Sequence, residues 1–163
     1  MTFDTRAFRT ALGCFPTGVA VVTAESHDLH PKGITVNSFT SVSLDPPLVL
    51  WCVGRGSDRC ETFMTARGFT VSILDAAHRS LSARLARRGE HRLDGIALLP
   101  TELGAPALAE ALAVFECERE SVYQGGDHAI LLGRVLRFSF RKAGAPLVFY
   151  RGRYVGLADR EAD

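Results

Sequence analysis

The sequence lacks the features that mark membrane, secreted and nucleic-acid-binding proteins. Its 163 residues contain no apolar run long enough to span a bilayer. The first residues, M-T-F-D-T-R, do not have the basic and then apolar layout of a signal peptide. The net charge is only +1, so no nucleic acid and no membrane surface is expected as a partner. We therefore expect a cytoplasmic protein.

Cysteine is scarce and widely spaced, which argues against a disulfide framework. The sequence contains no C-x-x-C pair, the spacing that zinc sites and redox motifs usually have. We interpret the cysteines as reduced thiols of a cytoplasmic protein, and we predict no metal site. A single catalytic cysteine is an alternative, although no evident base stands beside any of them in the sequence. The cysteines are Cys14, Cys52, Cys60 and Cys117.

Short strand-like segments dominate what the sequence does contain. The composition is globular, with 47% hydrophobic and 23% charged residues, and a chain of this length can bury a substantial core. No repeat or linker marks a boundary, so we predict one domain over residues 1–163, with its core at about 8–157. Many short strands with few helices favour an antiparallel β-barrel over a doubly wound parallel sheet. Strands are predicted at 18–24, within 33–53, and at 69–74, 111–122, 129–140, 146–150 and 153–157.

Three helices are predicted from apolar spacing and from the residues that precede each helix. Asp4 stands in the first turn of an N-terminal helix. Ser57 is a good N-cap for a second helix, and Asp75 can cap a third. The predicted helices cover 3–15, a segment after Ser57 that stops at Gly68, and 76–88.

The stretch 33–53 reads G-I-T-V-N-S-F-T-S-V-S-L-D-P-P-L-V-L-W-C-V, two strand-like segments joined by a Pro-Pro corner. Successive side chains of a strand point to opposite faces. If 34–44 is one strand, one face is apolar at both ends and the other is rich in hydroxyl and amide groups. Such a face suits a flat heterocycle with donors and acceptors on its edge, and a strand with a solvated polar face is the alternative. The polar face carries Thr35, Asn37, Phe39, Ser41 and Ser43.

A loop with the sequence G-R-G-S-D-R, residues 54–59, follows this stretch and precedes a predicted helix. A strand, a glycine-containing loop and a helix start can bind phosphate, because free N–H groups point at the anion. The loop is not a P-loop, which needs a longer spacing and a lysine, and an ordinary turn is the alternative. A second basic feature either faces water or meets the phosphates of a dinucleotide. It consists of Arg84, Arg87, Arg88 and Arg92.

Three motifs taken together resemble the short-chain flavin reductase family. They are F-P-T-G-V-A-V-V-T at 15–23, G-I-T-V-N-S-F-T-S-V-S-L-D-P-P-L-V-L at 33–50, and G-D-H-A-I-L-L-G-R-V at 126–135. Members of this family are reductase components of two-component flavin-dependent monooxygenases, such as the 4-hydroxyphenylacetate and phenol hydroxylase reductases. The resemblance implies an antiparallel Greek-key split β-barrel of the flavin-binding type. It also implies a homodimer with the flavin near the subunit interface.

The same resemblance implies the residues of a flavin and nicotinamide site. His128, in the motif G-D-H, corresponds to the family histidine that helps to seat the nicotinamide; an exposed turn histidine is the alternative. The expected flavin contacts are Thr35, Asn37 and Ser38 along the isoalloxazine and ribityl chain, Ser41, Val42 and Ser43 beside them, Cys52 and Val53 along the ribityl tail, and Arg55, Ser57 and Arg59 near the phosphate.

The activity implied by the resemblance is that of an NAD(P)H-dependent flavin reductase. Hydride from NAD(P)H, with NADH favoured, would reduce FMN or FAD, and the reduced flavin would pass to a separate monooxygenase. The cofactors carry the hydride chemistry and the protein orients them, with His128 as the predicted catalytic residue. Two alternatives stay open at this point. One is a flavin-binding storage or sensing protein without reductase turnover, and the other is a purely structural or interaction barrel.

Overall fold

The computed structural model describes residues 3–28 and 30–157, which form a mainly β structure. These ranges contain three α-helices, a short 3-10 helix and twelve strands. None of the helices there is long and apolar enough to cross a membrane. The helices are α1 (Thr5–Leu12), α2 (Cys60–Thr65), the 3-10 helix (Ala76–His78) and α3 (Arg79–Leu85). The strands are β1 (Thr17–Gly18), β2 (Ala20–Ala24), β3 (Lys32–Val36), β4 (Thr40–Leu44), β5 (Pro47–Gly54), β6 (Gly68–Ile73), β7 (Leu98–Leu99), β8 (Ala107–Leu108), β9 (Ala113–Gly125), β10 (His128–Phe140), β11 (Val148–Tyr150) and β12 (Arg153–Val155).

Seven strands form one sheet that carries most of the fold. Its order is β3-β2-β6-β9-β10-β5-β4, and all of its pairings are antiparallel. A smaller sheet contains β1, β11 and β12, and β7 pairs with β8. Within the described ranges no ladder joins the edge strands β3 and β4, so the barrel is split and not closed by hydrogen bonds between strands. The predicted mainly β, antiparallel fold is confirmed.

The two edge strands follow one another in the chain, and this corrects the single strand predicted over 34–44. The chain leaves β3 after Val36 and enters β4 at Thr40, on the opposite edge of the sheet. We call the three residues between them the crossover. Because the chain changes edges here, the side chains of 34–44 do not alternate between the two faces of a single strand. Thr35 and Ser41 therefore lie on different edge strands and do not share a face.

The core has two parts, one between the large sheet and α2 and one around Leu85 of α3. Every residue of β2 is buried, as expected for a strand covered on both faces. Along β5, burial alternates, and Trp51 is fully enclosed. The Trp51 ring meets the Phe63 and Phe69 rings edge to face, with centroids 4.9 Å and 5.7 Å apart, a favourable aromatic geometry. Since one face of β5 is held in the core, side chains of its other face are available to line a site.

Two helical segments begin directly after an aspartate: Asp75 is the cap that was predicted, and Asp4 is an N-cap and not part of the first turn. The Asp4 carboxylate accepts two backbone N–H groups of the first turn of α1, at 2.9 Å and 3.0 Å. The Asp75 carboxylate accepts the Ala77 N–H at 3.0 Å and starts the 3-10 helix that leads into α3. These side chains satisfy donors that a helix start leaves unpaired. Both helical segments end earlier than the apolar spacing predicts, at Leu12 and Leu85.

Candidate functional site

Residues from three separated parts of the chain line one cavity at the end of β3. Its volume is about 460 Å³, within the range of roughly 300–1,000 Å³ that small-molecule sites usually have. We call it the central cavity. Five of the predicted site residues meet there: Thr35, Asn37, Ser38, Cys52 and His128. The remaining lining residues are Ile34, Val36, Gly54, Gly125 and Ile130.

Ser38 ties the crossover to β5. Its hydroxyl accepts the Cys52 N–H at 2.9 Å and donates to the Cys52 carbonyl at 3.3 Å. The ladder between β4 and β5 reaches only to the pair Thr40 and Leu50. Ser38 is therefore the hydrogen-bond partner of the next backbone N–H and carbonyl of β5 that face away from β10. Backbone polar groups away from water need partners. One side chain therefore completes the cavity wall where the ladder stops.

Thr35 and Asn37 offer polar groups to the central cavity in different ways. The Thr35 hydroxyl donates to the Ser82 carbonyl of α3 at 2.8 Å, which leaves its lone pairs free to accept from a ligand. Asn37 is exposed, and its amide makes no hydrogen bond to the part of the chain that the structure describes. The Asn37 amide can therefore both donate to and accept from the edge of a ligand.

His128 begins β10 opposite Gly54, at the rim of the cavity. Its Nδ1 lies 2.7 Å from a carboxylate oxygen of Asp127, and this hydrogen bond holds the pKa of Asp127 below its usual value. A carboxylate at Nδ1 favours the tautomer with the proton on that nitrogen, so Nε2 is left as an acceptor. A Cβ at position 54 would lie 3.7 Å from Nε2. The glycine therefore keeps the space beside the ring open.

Two cysteines, Cys52 in the cavity wall and Cys117 in the core, have environments that favour the neutral thiol. Burial raises the pKa of Cys52, partly offset by the hydrogen bond with Ser38. Burial also raises the pKa of Cys117 to about 12. Because the thiolate is the reactive form, these environments do not activate a nucleophile. The structure therefore gives no support to catalysis by Cys52 or Cys117.

The loop 54–59 is held by hydrogen bonds within itself and to neighbouring segments. The N-cap predicted at Ser57 is wrong, because α2 begins three residues later and follows Arg59. The Ser57 N–H instead closes a turn onto the end of β5 at 2.9 Å, and its hydroxyl accepts the Arg59 N–H at 3.2 Å. The Arg55 guanidinium donates to the Gln124 amide oxygen. Neither Ser57 nor the two arginines line the central cavity.

Arg59 is buried and its guanidinium is used by the fold. It donates to the carbonyls of Gly33, Leu85 and Arg87 at 3.3 Å, 2.7 Å and 2.8 Å, and to the Asp58 carboxylate at 3.1 Å. These contacts occupy most of the five N–H groups of an arginine. The side chain therefore fastens the loop to β3 and α3, and its geometry does not present it to a phosphate.

Four other predicted flavin contacts lie outside the central cavity. Val53 is 1% exposed and belongs to the core. Ser41 and Val42 are exposed, and Ser43 is half-buried, all on β4. Ser41, Val42 and Ser43 thus stand on the edge strand β4, at the opposite edge of the sheet from β3. The structure thus does not bring this group together with Thr35 in one chain.

Several lining residues were missed because their position depends on strand pairing. β10 pairs with β5 in a register that sets Ile130 opposite Cys52 and His128 opposite Gly54. A Cβ at Gly125 would come 3.0 Å from Ile130 Cγ1, so this turn also needs a glycine. The motif G-D-H marks the start of β10, but no local pattern identifies β5 as its neighbour.

The match to known proteins extends well beyond these motifs. Residues 12–158 match the family described as flavin reductase like domain. The chain belongs to this family. The resemblance stated from the three motifs is thereby confirmed, and the central cavity is a cavity of a flavin reductase-like domain.

Relatives of this flavin reductase-like domain are similar along nearly the whole of this chain. FMN reductase (NADH) SmoA of Agrobacterium fabrum is 45% identical over 151 residues, which are 93% of this chain and 85% of the relative. Reductase subunit HsaB of a flavin-dependent monooxygenase from Rhodococcus jostii is 39% identical, over 94% of this chain and 78% of its own. The solved structure of Streptomyces globisporus NADH:FAD oxidoreductase SgcE6 with NAD and FAD fragments superposes with a TM-score of 0.91. It is 38% identical and the match covers 100% and 99% of the two chains.

The basic cluster predicted at 84–92 does not reach the central cavity of this flavin reductase-like domain. Arg84 instead lines a different cavity, together with Asp94 and Glu110. Arg92 forms an ion pair with Asp94 at 2.6 Å. Carboxylates therefore offset the positive charge of this cluster. Its arrangement favours the solvated alternative over contact with dinucleotide phosphates.

Replacing Ser38 by alanine is expected to lower the free energy of unfolding by about 1–3 kcal/mol, because two backbone groups of Cys52 lose their partner. Ser41→Ala is the matched control on the exposed face of β4 and should change stability by less than about 0.5 kcal/mol. Urea denaturation followed by tryptophan fluorescence measures both variants. Equal stability of the two would contradict the role of Ser38 as the tie between the crossover and β5.

Proposed function

We propose that this flavin reductase-like domain is an NADH-dependent flavin reductase, which reduces FMN or FAD and supplies the reduced flavin to a separate monooxygenase. One observation carries the proposal: residues of two family motifs, far apart in sequence, line the same central cavity. The relatives agree with this activity. SmoA is named an FMN reductase with NADH, SgcE6 an NADH:FAD oxidoreductase, and HsaB a reductase subunit of a monooxygenase.

The central cavity has the chemistry that a flavin ring requires. Ile34 and Ile130 provide apolar surface for a flat aromatic system, and the Asn37 amide provides a donor and an acceptor for its edge. The Thr35 hydroxyl accepts from an N–H of the ring. When bound, the flavin accepts the hydride, and the protein supplies orientation and electrostatics. The residues present therefore fit the cofactor.

His128 is the residue that we assign to the nicotinamide. With Asp127 on Nδ1, its Nε2 accepts a hydrogen bond from the carboxamide of the nicotinamide and fixes the orientation of the ring. Gly54 leaves the room that this contact needs. No proton has to move for hydride transfer, so His128 acts by orientation and not as an acid or base.

The flavin phosphate is assigned to the loop 54–59 at the far end of the cavity wall. Arg55 is exposed and reaches the loop surface, and the Gly56 N–H makes no hydrogen bond within the described residues. The Ser57 hydroxyl keeps a donor for an anion, since it only accepts from the chain. Arg59 is a positioning residue here, because it fixes the loop through the Gly33 and Leu85 carbonyls.

A second copy of the chain is proposed to complete the site. Exposed apolar side chains lie on β4 and on the last part of β10, which continues past its pairing with β5. Leu44 is 94% exposed and Phe138 and Phe140 are each 68% exposed. A large exposed apolar patch usually marks an interaction surface. In a homodimer through this surface, Ser41, Val42 and Ser43 contact the flavin bound by the partner subunit.

The activity itself is testable with purified protein. We expect oxidation of NADH, followed at 340 nm, only after FMN or FAD is added, and slower oxidation of NADPH. No turnover with either flavin and either pyridine nucleotide would contradict the proposal. A retained yellow flavin that NADH fails to bleach without oxygen would indicate a storage or sensing protein instead.

His128→Ala is expected to raise the KM for NADH by about fivefold to tenfold, the effect of losing one hydrogen bond. Flavin affinity should change by less than about twofold, because the flavin contacts are retained. Steady-state kinetics and flavin fluorescence titration give the two values. His30→Ala, an exposed histidine away from the cavity, is the control. Equal losses of flavin and NADH binding would show that His128 supports the fold.

If the protein dimerises through this apolar surface, one charged substitution there should remove the dimer and lower the flavin affinity. Leu44→Glu places a charge in the interface and should convert a dimer into a monomer, measured by light scattering after size-exclusion chromatography. Because β4 also supplies flavin contacts to the partner, flavin affinity should fall with it. Leu99→Glu, at an exposed leucine elsewhere, is the control. A monomeric wild-type protein would rule out this arrangement.

A further inference from the structure

Three cavities run in sequence from the central cavity to the surface beside α1. Asn37 lines both the central cavity and a cavity of about 250 Å³, which we call the connecting cavity. The connecting cavity shares Arg9, Gly13, Arg151 and Gly152 with a third cavity of about 520 Å³, which we call the outer cavity. The three cavities therefore adjoin one another along one side of the molecule, and Asn37 lies between the first two.

Three arginines line the outer cavity without an acidic partner. They are Arg6 and Arg9 on α1 and Arg151 on the turn between β11 and β12. Within the described residues none of these guanidinium groups forms an ion pair or a side-chain hydrogen bond, and no carboxylate lines the cavity. Converging like charges repel, and a cleft lined by one sign of charge attracts the opposite ion. The cavity beside Arg84 differs, since Asp94 and Glu110 share it.

The backbones that carry these arginines meet at the end of α1. The Arg151 N–H donates to the Gly13 carbonyl at 2.9 Å, which joins the end of α1 to the turn. A Cβ at Gly13 would lie 3.5 Å from the Arg151 Cα and 3.3 Å from the Thr10 carbonyl oxygen. A glycine thus permits this close approach. This hydrogen bond and this contact place the end of α1 beside the turn that carries Arg151.

Arg151 occupies a backbone conformation that an arginine rarely adopts. Its φ is 48° and that of Gly152 is 77°, the pattern of a type I′ hairpin turn, whose first position favours asparagine, aspartate or glycine. A longer side chain at a left-handed position costs free energy and points to a use for that side chain. The Arg151 guanidinium lies 5.3 Å from the centroid of the Tyr150 ring, a cation–π contact that holds it in place.

Two further observations connect the region around the three arginines with the proposed reaction site. The Thr17 hydroxyl oxygen is buried without a hydrogen-bond partner among the described residues, and Thr17 lines the connecting cavity. The pKa of Asp127 is lowered mainly by the hydrogen bond from His128, and the charge of Arg9 contributes to the same shift. Arg9 is therefore within electrostatic range of the residues that we assign to the nicotinamide.

We propose that Arg6, Arg9 and Arg151 form a binding site for the diphosphate of a dinucleotide whose ring occupies the central cavity. This inference rests on the proposed function and extends it to substrate specificity. Guanidinium groups bind phosphate oxygens in pairs with good geometry. NADH and FAD carry the same diphosphate chemistry, whereas reduced nicotinamide mononucleotide and FMN each end in a single phosphate. The site therefore discriminates dinucleotides from mononucleotides.

The kinetic test replaces two arginines on the exposed helix, where folding is least affected. In the double variant Arg6→Gln/Arg9→Gln, the KM of one dinucleotide should rise about tenfold or more, since hydrogen bonds to charged groups are lost. If the diphosphate is that of NADH, the KM of reduced nicotinamide mononucleotide stays within about twofold. If it is that of FAD, the KM of FMN does, and the flavin phosphate then lies at these arginines and not at the loop 54–59. Arg153→Gln, on the same hairpin but outside the cavities, is the control. Arg9→Lys should restore part of the affinity.

Cys14 offers a test of binding that does not require turnover. It is exposed and lines the outer cavity, whereas Cys52 lines the central cavity. NAD⁺ or FAD should slow alkylation of Cys14 by iodoacetamide at least fivefold, as read by mass spectrometry, and nicotinamide mononucleotide or FMN should not. The double variant should lose this protection.

The outcomes separate this inference from the proposed function. Protection of Cys14 by a dinucleotide alone, with the matching rise in KM, supports the diphosphate site and identifies its source. Equal effects on dinucleotides and mononucleotides, or no protection of Cys14, overturn it even when the wild-type protein reduces flavins with NADH. A wild-type protein without turnover overturns the reductase, while protection of Cys14 by FAD or NAD⁺ would still support the diphosphate site.

Discussion

Ser38 forms with Cys52 the two hydrogen bonds that β4 forms with the earlier part of β5. The site depends on this tie, because the chain must pass between two sheet edges that no ladder joins. Fixing the crossover to β5 sets Asn37 between the central and connecting cavities and keeps the end of β3 near His128. The split between the edge strands β3 and β4 stays open, and the central cavity lies at the end of β3 beside the crossover.

The strands could be predicted because their signals are local. The β-branched run in β2 and the alternation of β6 and β10 need no knowledge of neighbours. The crossover could not be predicted, since the alternation of polar and apolar residues continues through it while the backbone changes edges. Ser57 shows the same limit. It has the side chain of an N-cap, but the turn that it closes onto β5 delays the start of α2 until Cys60.

Site residues that belong to a motif could be predicted from the sequence. Residues whose contacts depend on packing between distant segments could not. Thr35, Ser38 and His128 were named from their motifs, and they do line the central cavity. Arg59 was expected near a phosphate because it is basic and lies in a glycine-containing loop. Its partners are instead three carbonyls from β3 and α3, which no local pattern reveals. Arg6, Arg9 and Arg151 went unnoticed for the opposite reason, because only the fold brings α1 to the last hairpin.

The pairing of β5 with β10 also has a consequence for how the chain folds. The two strands are far apart in sequence, and every wall of the central cavity needs both of them in register. Closing so long a loop costs entropy before any contact repays it. The pocket therefore exists only in a chain in which both strands are paired. A nucleotide that binds there stabilises the folded chain over the unfolded one, so the free energy of unfolding rises with nucleotide concentration.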